Sequence, residues 1–290
     1  MRAYENSKYL NCIEKGAEQH MFDWRNIFRG MAMGTSDIIP GVSGGTIAVL
    51  LGIYDQFINA VSGITTREWK KHVPFLLTLG LGMVSAILIL SHAVEWLLEE
   101  YPEPTNFFFL GLIVGILPFL LKEASSRGTF KAKHIIIFLF GAVLVISMAF
   151  FKPVEAGNPI ESLTLMSIIG LFLAGACASM AMLLPGISGS FILLIIGVYH
   201  TAINAITTMN LPIIIVIGSG IACGFVFSSK GIRFLLARYP LFMYALIIGL
   251  VFGSLFVVFP GLTLGLSNIV LSLGAFFIGL VVAIWLGNKG

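Results

Sequence analysis

The stretch "DIIPGVSGGTIAVLLGIYDQFINAV", residues 37–61, places Pro40, several glycines, Ser43 and Asp37 in and beside an apolar run. The phrase returns at 185–206 as "PGISGSFILLIIGVYHTAINAI". Pro40 and Pro185 disfavour helix in the preceding residue and lack a backbone donor. The glycines open backbone conformations closed to other residues. Ser43 and Ser188 are suited to cap the apolar helices that follow. Each copy therefore predicts a break, a tight turn and a new helix that starts within the membrane. Unpaired backbone at that depth is tolerated only where protein or a watery cavity surrounds it.

The rest of the chain explains why the surroundings are membrane. It is 58% hydrophobic and 11% charged, far below the charged share of about a quarter found in soluble domains. Apolar stretches recur along it, several reaching the ~20 residues that a helix needs to cross the hydrocarbon layer. The expected fold class is an all-α polytopic membrane protein. The first 27 residues are polar and show no apolar core before a small-residue cleavage site, so no signal peptide is expected there. Trp24, Trp69, Trp96 and Trp285 fall at segment ends, as in an interfacial aromatic belt. Cys12, Cys177 and Cys223 suggest small apolar packing, with neither a disulfide framework nor metal-ligand spacing. No cofactor, metal or nucleic acid is expected.

Sliding the chain over itself by 145 positions lays Pro40, Gly41, Ser43 and Gly44 on Pro185, Gly186, Ser188 and Gly189. An offset of 138 continues the match: Gly82 meets Gly220, Tyr101-Pro102 meets Tyr239-Pro240, and Gly111, Gly115 and Gly141 meet Gly249, Gly253 and Gly279. A collinear series across both halves points to duplication. Lys and Arg favour cytoplasmic loops; they crowd 1–29, 62–72, 122–134 and 228–240 and are missing from 99–105. The pattern predicts a polar cytoplasmic segment over 1–27 and a first repeat over 28–151, with a broken hairpin at 30–61 and spans at 73–98, 106–121 and 135–151. An inverted second repeat follows over 163–287, with a hairpin at 163–206 and spans at 211–227, 241–259 and 268–287. Both termini would be cytoplasmic. Whether the hairpins are re-entrant or cross fully, the charges do not decide. Inverted repeats with interrupted segments are a common plan of secondary transporters.

A helix start offers free N–H groups and a positive dipole end, which suits phosphate or carboxylate. Gly41, Ser43, Gly44, Gly45 and Thr46 in the first copy, and Gly186, Ser188, Gly189 and Ser190 in the second, are the expected phosphate-binding residues. Pro40 and Pro185 make the breaks. Neither copy has the P-loop pattern, so nucleotide binding is not expected. The scattered glycines Gly80, Gly82, Gly111 and Gly115 read as close helix packing. Asp37, Asp55 and Glu95 are the acids within apolar runs, and none follows Glu161. Asp37 is the candidate for taking up a coupling proton or sodium ion, or else is satisfied by loop N–H groups. Its counterpart is Met182. Asp55 and Glu95 are expected near an interface, solvated. Arg29 can pair with phosphate in bidentate fashion or serve as a positive-inside anchor. The histidines show no pairing.

"GMAMGTSDIIPGVSGGTIAVLLGIY", residues 30–54, together with "PGISGSFILLIIGVY", resembles the bacterial polyprenyl-phosphate transporter family over nearly the whole chain. The resemblance implies translocation of undecaprenyl phosphate, the lipid carrier of cell-wall precursors, across the bacterial cytoplasmic membrane for reuse. Asp37, Pro40, Gly41, Ser43, Gly44, Gly45, Pro185, Gly186, Ser188 and Gly189 match the motif. Ser190 replaces Gly45 in the second copy, so the loops need not bind equally. Two rival readings stay open. A transporter or channel for a small soluble anion would need a pocket closed to lipid. A phosphatase of lipid pyrophosphate would need an Arg where Gly44 and Gly189 stand, and a nucleophile or general base that the sequence does not supply.

Overall fold

A computed structural model of the chain describes residues 23–38, 42–150, 163–261 and 266–287. Every regular element within them is a helix. The first half runs α1 (Arg25–Asp37), α2 (Gly44–Leu50), α3 (Tyr54–Gly63), α4 (Trp69–Glu100), α5 (Pro102–Ser126) and α6 (Ala132–Phe150). The second runs α7 (Leu165–Leu183), α8 (Gly189–Ile196), α9 (Tyr199–Thr207), α10 (Leu211–Arg238), α11 (Pro240–Val258) and α12 (Leu266–Gly287). Among the described residues, α4, α5, α6, α7, α10, α11 and α12 are long and apolar enough to cross a membrane. The segments expected to span lie on α4, α5, α6, α10, α11 and α12, with residue 151 outside the described residues. The expected 1–27 segment lies mostly outside the described residues, and α1 already begins inside it.

The two hairpins differ. α1 has 13 residues, roughly 20 Å at the helical rise, too short for a hydrocarbon core about 30 Å thick. α7 has 19 residues and is long and apolar enough to cross. After it, α8 and α9 meet at an angle of 108°. The bends are glycine-made: Gly52 and Gly197 follow α2 and α8 with φ of 67° and 84°, values that side chains with a Cβ rarely adopt. The hydrogen bonds around them correspond, Ile53 N to Ala48 O and Val198 N to Leu193 O, both 3.0 Å.

Helix contacts also come in pairs related by the sequence offsets. A Cβ on Gly30 would collide with the Leu79 carbonyl, and one on Gly175 would press on that of Ile217. Gly82 abuts the Ile27 carbonyl, and Gly220 that of Phe172. These contacts seat α1 on α4 and α7 on α10. Gly111 meets Phe276 while Gly249 meets Phe138, joining α5 to α12 and α11 to α6 across the halves. Without a hydrophobic force between helices in lipid, close backbone approach through small residues supplies much of the packing. Gly82, Gly111 and Gly115 thus act as the sequence predicts. Gly80 does not; no atom lies within 4 Å of where its Cβ would stand.

The pairing breaks at the short helices. All of α2 is buried, packed among α5, α7 and α12, whereas no residue of α8 is buried. Arg127 reaches Asp55 at 3.1 Å and Glu123 at 2.8 Å and lies over the Tyr244 ring at 4.9 Å. Asp55 is therefore paired rather than merely solvated, because α5 delivers an arginine to the start of α3. Glu95 is exposed, and the four tryptophans are exposed at helix ends. Cys177 and Cys223 face outward instead of packing inward, since the small residues Ala176, Ala178 and Gly224 take the contact face.

Candidate functional site

α1 ends at Asp37, and its carboxylate accepts a hydrogen bond of 2.6 Å from the Gly44 N–H at the start of α2. Ser43 caps that helix, its Oγ accepting from Thr46 N at 3.3 Å. The anion at this helix start is thus the protein's own side chain. Gly44 is required there, because a Cβ would stand 2.8 Å from Asp37 Oδ2. That second oxygen is buried and has no hydrogen-bond partner among the described residues. An unsatisfied buried acceptor costs about 1–3 kcal/mol, more when charged, so binding of a proton or a donor at this oxygen is favoured.

The two repeated loops meet. Gly186 N donates to Thr46 Oγ1 at 2.8 Å, and Tyr54 OH donates to the Leu183 carbonyl at 3.1 Å. Ser43 and Thr46 share a hydrogen bond of 3.1 Å, both fully buried. Gly45 packs against the Met182 carbonyl, 3.3 Å from an added Cβ. In the second loop, Gly186 takes φ of 88°, and a Cβ there would stand 2.6 Å from the Leu250 carbonyl. Ser188 is the N-cap residue of α8 but makes no side-chain cap bond; it pairs with Ser190 at 2.8 Å. Gly189 packs on the Ala178 carbonyl. The hydroxyls thus satisfy one another at the loop–loop junction.

Beside this junction lies a cavity of about 440 Å³. Met33 and Asp37 of α1, Gly44 and Gly45 of α2, Phe57, Val61 and Ile64 of α3 and its end, and Leu76, Leu79, Gly80 and Met83 of α4 bound it from the first half. Met182, Ala222, Phe225 and Val226 close it from the second. Asp37 is the ionisable residue among these walls. Its repeat counterpart Met182 faces the same space, so the cavity straddles the place where equivalent positions meet. Arg29 shares a helical stripe with Met33 and Asp37 but does not line the cavity; its Nη1 donates to Asn26 Oδ1 at 2.9 Å. Of the expected residues, the structure brings Asp37, Gly44 and Gly45 to the cavity. It sets Ser43, Thr46 and Gly186 at the junction, with Pro185 beside them, and leaves Ser188, Gly189 and Ser190 outside. Pro40 and Gly41 lie outside the described residues. Sequence reading missed Gly80 and Met182 as walls and Tyr54 as a tie between halves. The shared Tyr54/Tyr199 position of the repeat was the available signal for the last.

Membrane-length helices around a half-open cavity with almost wholly apolar walls define a multi-pass helical membrane protein. The chain belongs to the undecaprenyl phosphate translocase-like family, which residues 33–274 match. It is 47% identical over 277 residues to the polyprenyl-phosphate transporter of Staphylococcus aureus (strain NCTC 8325 / PS 47), covering 92% of this chain and 97% of that protein. It is 34% identical over 245 residues to the polyprenyl-phosphate transporter of Vibrio cholerae serotype O1, covering 80% and 76%. No solved structure matches the chain.

Proposed function

We propose that this chain is a flippase for a polyprenyl phosphate, undecaprenyl phosphate in its bacterial setting, returning the carrier lipid across the cytoplasmic membrane. The reading rests on one observation, the apolar cavity at the junction of the halves with Asp37 and the Gly44 N–H at its inner end. Similarity to the polyprenyl-phosphate transporters of Staphylococcus aureus and Vibrio cholerae supports the substrate class.

The volume decides how such a lipid would sit. About 440 Å³ is the size of pocket that holds a drug-sized molecule. It takes a phosphate and the first isoprene units, and a long tail stays in the bilayer. Keeping the tail in lipid avoids exposing it to water at ~0.8 kcal/mol per CH₂. The headgroup is the expensive part, since a phosphate leaving water needs charges and hydrogen bonds to replace its hydration. In this mechanism Asp37 takes up a proton, releases the Gly44 N–H and lets the headgroup accept from Gly44 and Gly45. The Ser43 and Ser188 hydroxyls join when the loops part. Transport is of the secondary type, driven by the coupled ion, with a sodium ion as the alternative partner for Asp37.

The two halves rock against each other as inverted repeats, exposing the Asp37–Met182 centre first to one leaflet and then to the other. Paired glycine contacts at common offsets support this plan. Walls this apolar suit a lipid better than a hydrated anion. The test is headgroup accessibility in proteoliposomes: purified protein should speed translocation of the phosphate lipid, and Asp37→Ala should abolish it. Equal rates with and without protein would end the proposal. Release of phosphate from a lipid pyrophosphate would make the protein a phosphatase instead.

A further inference from the structure

The cavity has an acid at its inner end and no cation in its walls. A phosphate monoester brought beside Asp37 without a countercharge is costly to desolvate, so a positive group must meet it at one end of the cavity. Arg29 lies off the walls and holds Asn26. The other candidate comes from the second half.

Arg233 Nη1 donates to Ser62 Oγ at 3.4 Å. Ser62 sits between the wall residues Val61 and Ile64 at the end of α3. On α10, Ala222, Val226, Ser229 and Arg233 follow one another at helical spacing on one stripe of an unbroken helix. The wall therefore runs into Arg233 about two turns beyond Val226. The side chain of His72 lies against Gly63, within electrostatic reach of Arg233. Arg233 is exposed and has no carboxylate partner among the described residues, and no acid follows Glu161 in the chain. Its bond to Ser62 is long and neutral at the acceptor. A phosphate offers a shorter, charge-assisted and bidentate one.

We propose that Arg233, with Ser62 and His72 beside it, is the docking point for the headgroup of a lipid monophosphate at the basic end of the cavity. The headgroup engages it at the basic end while the apolar walls receive the first part of the tail, so on the inward return it reaches Arg233 after Asp37. This rests on the reading of the cavity as a lipid-phosphate site.

The test compares farnesyl phosphate with farnesol on the full chain in detergent, so that the tail is constant and the headgroup varies. Wild type should bind the phosphate about tenfold tighter or more, the worth of one charge-assisted contact. Arg233→Ala should bring the two ligands to within roughly twofold, with farnesol affinity unchanged. Arg233→Lys should keep part of the preference, and Arg238→Ala all of it. Where the Ala variant does not fold, Arg233→Gln keeps the stem and carries the same expectation. A full phosphate preference in the Arg233 variants overturns the docking point and leaves the cavity reading intact. No preference in wild type overturns both.

Discussion

Thr46 shows how much can hang on one hydroxyl. It accepts from Gly186 N and is hydrogen-bonded to the Ser43 hydroxyl, so it closes the polar balance of both loops at once. Thr46→Val keeps the shape and orphans a buried N–H, which should lower stability by about 1–3 kcal/mol. Thr46→Ser should cost much less, and thermal unfolding of the detergent-solubilised protein separates them. Asp37 is the opposite case, a group placed at some expense to the fold. Asp37→Asn keeps an acceptor for Gly44 and removes a buried charge. Unfolding temperature should hold or rise while lipid translocation is lost. A variant that still translocates would remove the acid from the mechanism.

Between helices the same glycines separate structure from function. Gly82 and Gly80 lie two residues apart on α4, yet a Cβ on the first strikes the Ile27 carbonyl and one on the second meets nothing within 4 Å. Gly82→Leu should destabilise the protein by ~1–3 kcal/mol or more through overpacking. Gly80→Leu should leave unfolding unchanged and reduce binding of farnesyl phosphate by filling the cavity. Sequence could not tell these two apart, because the difference depends on where α1 crosses α4. It could read what is local: the all-helical class from apolar length and the cap at Ser43 from residue type. The bends at Gly52 and Gly197 are not among the expected breaks, which fall at Pro40 and Pro185. The contact of Asp37 with Gly44 was legible only as an option. The pairing of Asp55 with Arg127, 72 positions away, was not legible at all, since it is made by tertiary packing.

At the scale of the whole molecule, the asymmetry of α2 and α8 identifies which contacts must change if the halves exchange roles. Tyr54 now donates to Leu183; the same offset relates Tyr199 to Ile38. In a conformation open to the opposite leaflet, Tyr199 should take the Ile38 carbonyl, with α8 buried and α2 released. In a background without native cysteines, Tyr199→Cys with Ile38→Cys should crosslink and trap that form, and Tyr54→Cys with Leu183→Cys should trap the present one. Failure of the first pair to crosslink under turnover would rule out a symmetric exchange. The meeting of Asp37 and Met182 in one chamber also bears on ancestry. A protein assembled from two identical first halves would set two carboxylates facing each other in an oily space, where their repulsion is poorly screened. If the halves are fused copies, fusion lets one of them carry Met182 in place of an acid, a freedom that a dimer of identical subunits lacks.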